Sequence, residues 1–293
     1  MRWRDARESE NVEDDREVGP PRLRAGVPLS LGSVAVIIVA SLLLGKNPLD
    51  VLGLLLQNDA GTQTSTDSTG RPDRVPAADD ESVHFVRAIL GETEDVWGAV
   101  FEQAGRQYER PRLILFSGAV ESACGGATAA TGPFYCAGDR KVYLDLSFFD
   151  EMRSRLGGGG DFAYAYVIAH EVGHHVQNLL GVFDRVRQER ARGAPLEGAG
   201  GLSVRQELQA DCLAGVWANH AQARHRWLEA GDVEKALGTA TAIGDDRLQR
   251  QAQGAVVPDA FTHGTSQQRV RWFSTGFQRG DVDACDTFAA ASP

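Results

Sequence analysis

DFAYAYVIAHEVGHHVQNLLG, residues 161–181, is the stretch from which this chain is best read. Four consecutive glycines, 157–160, precede it and Gly181 follows its last apolar pair. Between these breaks the spacing predicts one helix, with Asp161 placed to cap the first turn and Gly181 to close the last. Inside it lies His170-Glu171-Val172-Gly173-His174. Residues four apart share a helix face, so both imidazoles can reach one zinc ion with Glu171 beside its open position. His175 lies roughly 100° further round the helix, which argues for a structural role.

A catalytic zinc site needs a third protein ligand. A metzincin would place Gly and His three and six residues after the second histidine, but Gln177 and Leu180 stand there. Glu207-Leu208-Gln209-Ala210-Asp211 offers the gluzincin alternative, an E-x-x-x-D on a second helix. Glu207 and Asp211 then share a face: Glu207 is the expected ligand and Asp211 the acceptor that orients a ligand imidazole. Asp211 as the ligand itself stays open as a second possibility. A water made acidic by zinc would lose its proton to Glu171, the expected general base. His263, in THGTSQQR, is the candidate donor to the developing oxyanion.

The rest of the 293 residues sets the context. A net charge of −10 and the lack of a basic stripe argue against nucleic-acid binding. Residues 1–26 mix both charge signs without periodicity and read as a disordered cytoplasmic tail. No charged residue falls between Arg24 and Lys46, so 27–45 reads as a transmembrane helix. Arginines at 16, 22 and 24 against Lys46 alone put the N-terminus in the cytoplasm and everything beyond the span outside it. Residues 46–80 hold a short apolar run and a Ser, Thr, Asp and Pro-rich tether, and the folded domain is expected over 81–293.

Within that domain, apolar spacing from Glu81 to Gln107 predicts two helices broken at Gly91–Glu94. Strands are expected at 112–116 and 142–146 and a helix at 147–156. A polar loop should follow Gly181, then a helix with a Ser203/Gln206 capping box. Further helices should begin at Asp232 and after Thr265 or Ser266. The fold class is therefore α+β, mainly helical, with a small sheet ahead of the zinc helix. Four cysteines allow three pairings. Cys124 and Cys136 share one Gly-rich loop, and Cys212 follows Asp211 while Cys285 lies past the last helix. These positions favour Cys124–Cys136 and Cys212–Cys285 in a domain outside the cytosol.

Several of these segments, with Asn11-Val12-Glu13-Asp14, GPFYC at 132–136, VYLDLSFF at 142–149 and CDTF at 285–288, resemble the neutral zinc metallopeptidase family of bacteria. The resemblance implies a membrane-anchored zinc peptidase with a zincin-like domain and does not supply a substrate; the pair of helical spacings predicts one zinc per chain, and a peptidase would act on a peptide or protein. It suggests a purpose for Asn11–Asp14 that composition does not give. Hydrolysis of another amide, for instance in the cell wall, would use the same groups. A chaperone-like module that keeps zinc without turnover would have less use for Glu171.

Overall fold

The computed structural model describes residues 1–16, 80–154, 159–242, 244–246 and 256–293. Its main sheet joins β1 (Val12–Asp14), β2 (Arg112–Phe116), β6 (Lys141–Asp145) and β5 (Phe134–Cys136), in that spatial order. The first three run parallel, and β5 runs antiparallel to β6 at the edge. A separate hairpin pairs β3 (Ala119–Ser122) with β4 (Gly125–Thr128). RLILF shows no polar alternation because both faces of β2 are covered. Leu113 and Leu115 enter the main core, while Ile114 and Phe116 join Tyr143 and Cys136 on the opposite face.

The helices are α1 (Glu81–Gln103), α2 (Ser147–Ser154), α3 (Asp161–Leu179), α4 (Val182–Ala191), α5 (Leu202–His225), α6 (Asp232–Ala242) and α7 (Ser266–Arg279). The described residues thus form a mixed α/β fold, mostly helical, with two small sheets. Buried positions run round most of the circumference of α3 and α5, as expected of helices in the middle of a core. Both expected disulfides are present, Cys124–Cys136 and Cys212–Cys285. The second joins α5 to the short 3₁₀ turn Val282–Cys285 after α7.

Several local expectations need correction. Residue 160, not Asp161, is the N-cap of α3, and the Asp161 carboxylate accepts instead from the Trp3 indole N–H at 2.9 Å. No side chain caps α5, which starts at Leu202 with Ser203 already inside it. The polar stretch after Gly181 is α4, a helix with only Val186 buried, so its sequence carries almost no apolar stripe. Thr265 and Gln268 do form a capping box for α7, and Gly280 ends it in the left-handed region.

The largest correction concerns the N-terminus. Met1–Arg16 is not a disordered tail: it packs along α1 and ends as a strand of the sheet. Trp3 is buried edge-on against Phe85, with ring centroids 5.2 Å apart. Glu94, buried on α1, accepts from Ser9 Oγ (2.5 Å), Asn11 Nδ2 (2.7 Å) and Arg7 Nη2 (2.9 Å). These bonds also explain why α1 does not break at Gly91–Glu94. The carboxylate finds its partners on the N-terminal segment, and the missing side chain at Gly91 makes room for it. A Cβ there would lie 2.4 Å from the Arg7 carbonyl oxygen. Composition hid all this, because a charged segment that pairs with a partner element looks the same as one that faces water.

Arg16 reaches Asp80 at 2.7 Å, and Asp80 in turn caps α1, so residues 16 and 80 meet. Met1–Arg16 therefore belongs to the same compact unit as the helical domain. The transmembrane reading of 27–45, and most of the 46–80 segment, lie outside the described residues. Among the described residues no helix is long and apolar enough to cross a membrane.

Candidate active site

The site forms where α3 and α5 approach each other. Gly173, the second variable position of H-E-x-x-H, faces Ala210: a Cβ on Gly173 would sit 3.0 Å from the Ala210 carbonyl oxygen. A small residue on each helix lets the backbones come close, and Glu207 and Asp211 flank Ala210 on α5. His170 Nε2 lies 3.2 Å from Glu207 Oε2, and His174 Nε2 lies 3.4 Å from Glu207 Oε1. The three residues each present a ligand atom within 4.8 Å of the others.

This donor set fits zinc. With bonds of about 2.0–2.1 Å, neighbouring ligand atoms of a tetrahedral zinc stand about 3.3 Å apart. The electrostatics point the same way. Burial disfavours charging His170, yet Asp211 and Glu207 outweigh it and raise the imidazole to about 10. Burial would likewise push Glu207 up, but the two histidines hold its carboxyl well below the usual range. The cage is thus short of positive charge, and a dication would answer the need that protons on the imidazoles otherwise meet.

Each imidazole is held from behind. His170 Nδ1 meets Asp211 Oδ1 at 2.9 Å. Asp211, fully buried, also accepts from Tyr166 Oη (2.6 Å) and from Arg269 through Nε and Nη2, both at 2.9 Å. Burial works against its charge, but Arg269 and His170 keep the carboxyl at about 2. With both oxygens so engaged, Asp211 stands behind the cluster of His170, His174 and Glu207 rather than in it. His174 Nδ1 meets Gln177 Oε1 at 2.9 Å.

Glu171 is 7% exposed and makes no hydrogen bond or ion pair with the described residues. His175 is fully buried: Nε2–H donates to the Glu109 carbonyl (2.6 Å), and Nδ1 accepts from Tyr135 Oη (3.1 Å). With both ring nitrogens occupied it is tied to β5, not to the cluster.

His263 sits on the loop before α7, about half exposed. One oxygen of Asp245 gathers that loop, accepting from the backbone N–H of Thr262 (2.6 Å), His263 (2.6 Å) and Gly264 (3.1 Å). Its other oxygen lies 3.3 Å from His263 Nδ1. Gly264 packs on Val204 and Leu208 of α5, either side of Glu207 along the chain. No hydrogen bond joins His263 to the cluster among the described residues.

Tyr166, Gln177, Asp245 and Arg269 were not expected from sequence. The available signal was polarity at buried helical spacing: Gln177 stands three residues after His174, and Tyr166 four before His170. Nothing local pointed to Arg269, whose partner lies 58 residues away.

Two imidazoles and a carboxylate gathered by crossing helices, with a further glutamate alongside, define the zinc metallopeptidase class of site. The family model described as "Putative neutral zinc metallopeptidase" matches residues 1–288, and the chain belongs to that family. It is 48% identical to "Uncharacterized protein YpfJ" of Escherichia coli (strain K12) over 294 residues, covering 98% of this chain and 99% of that one. It is 46% identical to "Uncharacterized protein Rv2575" of Mycobacterium tuberculosis (strain ATCC 25618 / H37Rv) over 217 residues, 71% of this chain and 72% of the other. No solved structure matches.

Proposed function

We propose that the protein is a zinc-dependent endopeptidase whose metal is held by His170, His174 and Glu207. The observation that carries this reading is the meeting of those three side chains beside Glu171. Zinc held there would supply the Lewis acid that makes water acidic near neutral pH and polarises the peptide carbonyl. The chain's own part is proton handling and positioning. Glu171 takes the proton of the attacking water and returns it to the departing amine. His263, held through Nδ1 by Asp245, presents Nε2 as a donor to the developing oxyanion. Edge strand β5 favours a peptide over other amides. Among the described residues it has a neighbour on one side only, and Tyr135 fixes it to His175 next to the cluster. An extended substrate can add to that free edge.

The test is cleavage of an unfolded protein such as reduced casein by the purified full chain, with and without a chelator. Zinc should be found at about one per chain and should be lost on Glu207→Ala. Casein cleavage that survives complete metal removal would end the proposal. Unchanged zinc retention in Glu207→Ala would move the third ligand elsewhere.

We also propose that the domain lies outside the cytoplasm of a bacterial cell, because two disulfides persist best in an oxidising compartment. Arg4 and Arg187 are both well exposed, and no cysteine of the chain is free. In spheroplasts, Arg4→Cys and Arg187→Cys should both react with a membrane-impermeant maleimide. Reaction of neither would place the body in the cytoplasm, and reaction of Arg187→Cys alone would contradict the pairing of β1 with β2.

A further inference from the structure

Gln177 occupies the position where a metzincin would carry glycine, and it is fully buried and bonded at both ends of its amide. Its Nε2 donates to the Gln206 carbonyl at 2.7 Å and to Gln209 Oε1 at 2.9 Å. Gln209 Nε2 donates in turn to the Cys285 carbonyl at 3.0 Å. The two backbone carbonyls can only accept, and that fixes the direction of the whole chain. Gln209 must turn its nitrogen toward Cys285, so its oxygen faces Gln177. Gln177 must turn its nitrogen toward Gln206, so its oxygen faces His174. His174 Nδ1 must then carry the proton, so Nε2, which lies 3.4 Å from Glu207, is the ring nitrogen left to bind a metal. The tautomer that a metal ligand needs is therefore set by backbone atoms of α5 and of the 3₁₀ turn.

The end of this relay is not an arbitrary carbonyl. Cys285 is bonded to Cys212, the neighbour of Asp211 on α5. The bridge therefore holds both back supports of the site. It lies next in the chain to the carboxylate behind His170, and it anchors the carbonyl at the root of the support behind His174.

We propose that Gln177 is the positioning residue of His174, and that Gln209 couples it to the Cys212–Cys285 bridge, so that metal affinity depends on that bridge. The proposal rests on the metal reading above, and His174→Ala separates the two.

The measurement is zinc affinity of the full chain by competition with a chromophoric chelator, paired with urea unfolding of the metal-free protein. His174→Ala should lose high-affinity zinc; if it does not, the metal reading fails. Gln177→Leu, similar in size but with no acceptor, should bind zinc 10–100-fold more weakly. Gln209→Leu should weaken binding less, and Gln177→Leu/Gln209→Leu no more than Gln177→Leu alone, because both act through one relay. Cys212→Ser/Cys285→Ser should weaken zinc, and adding Gln209→Leu to it should cost little more. The visible bands of the cobalt-loaded protein should shift in Gln177→Leu and return toward wild type in Gln177→Glu, which keeps an acceptor. Should Gln177→Leu not fold, Gln209→Leu and the cobalt spectrum of Gln177→Glu carry the test. Wild-type affinity in Gln209→Leu, strictly additive losses, or an unshifted cobalt spectrum in Gln177→Leu would overturn the proposal.

Discussion

Glu171→Gln is expected to keep zinc, fold and both disulfides while peptide hydrolysis falls by about 10²–10⁴-fold, the share that a general base contributes. The reason lies in what surrounds the carboxylate. Glu171 is nearly buried and forms no bond to the described residues, so the amide leaves no partner unsatisfied and disturbs no packing. The same change at Glu207 would alter a group that faces both histidines. Glu171 differs in being dispensable for structure and needed for the proton. Stopped assays on casein with zinc-saturated protein, alongside metal analysis, read the two effects separately. Normal turnover in Glu171→Gln would show that another group carries the proton.

What was legible in the sequence follows how far each feature's partners lie along the chain. H-E-x-x-H and E-x-x-x-D each depend on spacing within one helix, so both faces could be drawn without the fold. That the two faces meet depends on Gly173 against Ala210, a contact no single-helix pattern contains. The orienting role of Asp211 could be expected because imidazole ligands need an acceptor. Which groups would hold Asp211 could not, since Arg269 comes from α7. Strands β1 and β5 have three residues each, too few for alternation to show. In β1 the sequence is VED, and its two acids suggested solvent. One of them, Glu13, pairs with Arg112 on β2, so that charge was serving the sheet.

The buried pair behind the site carries the other large expected effect. Arg269→Met should cost about 3–5 kcal/mol of folding stability, the range for removing one partner of a buried ion pair. Arg269 is 3% exposed and meets both oxygens of Asp211, so its loss leaves a carboxylate without solvent and without its main counter-charge. Deleting the same charge at Arg187, which pairs with Asp184 on the surface of α4, should change stability by less than about 1 kcal/mol. Burial, not pairing, separates the two cases. The loss should reach the metal as well: an Asp211 driven to hold a proton accepts less well from His170 Nδ1, and zinc affinity should drop by about tenfold or more. Asp211→Asn combined with Arg269→Met removes both charges, and should recover part of the stability but not the affinity. Urea unfolding of metal-free protein reads the first quantity and chelator competition the second. A cost below about 1 kcal/mol for Arg269→Met, or full zinc affinity in the double variant, would mean that the pair supports neither the core nor His170.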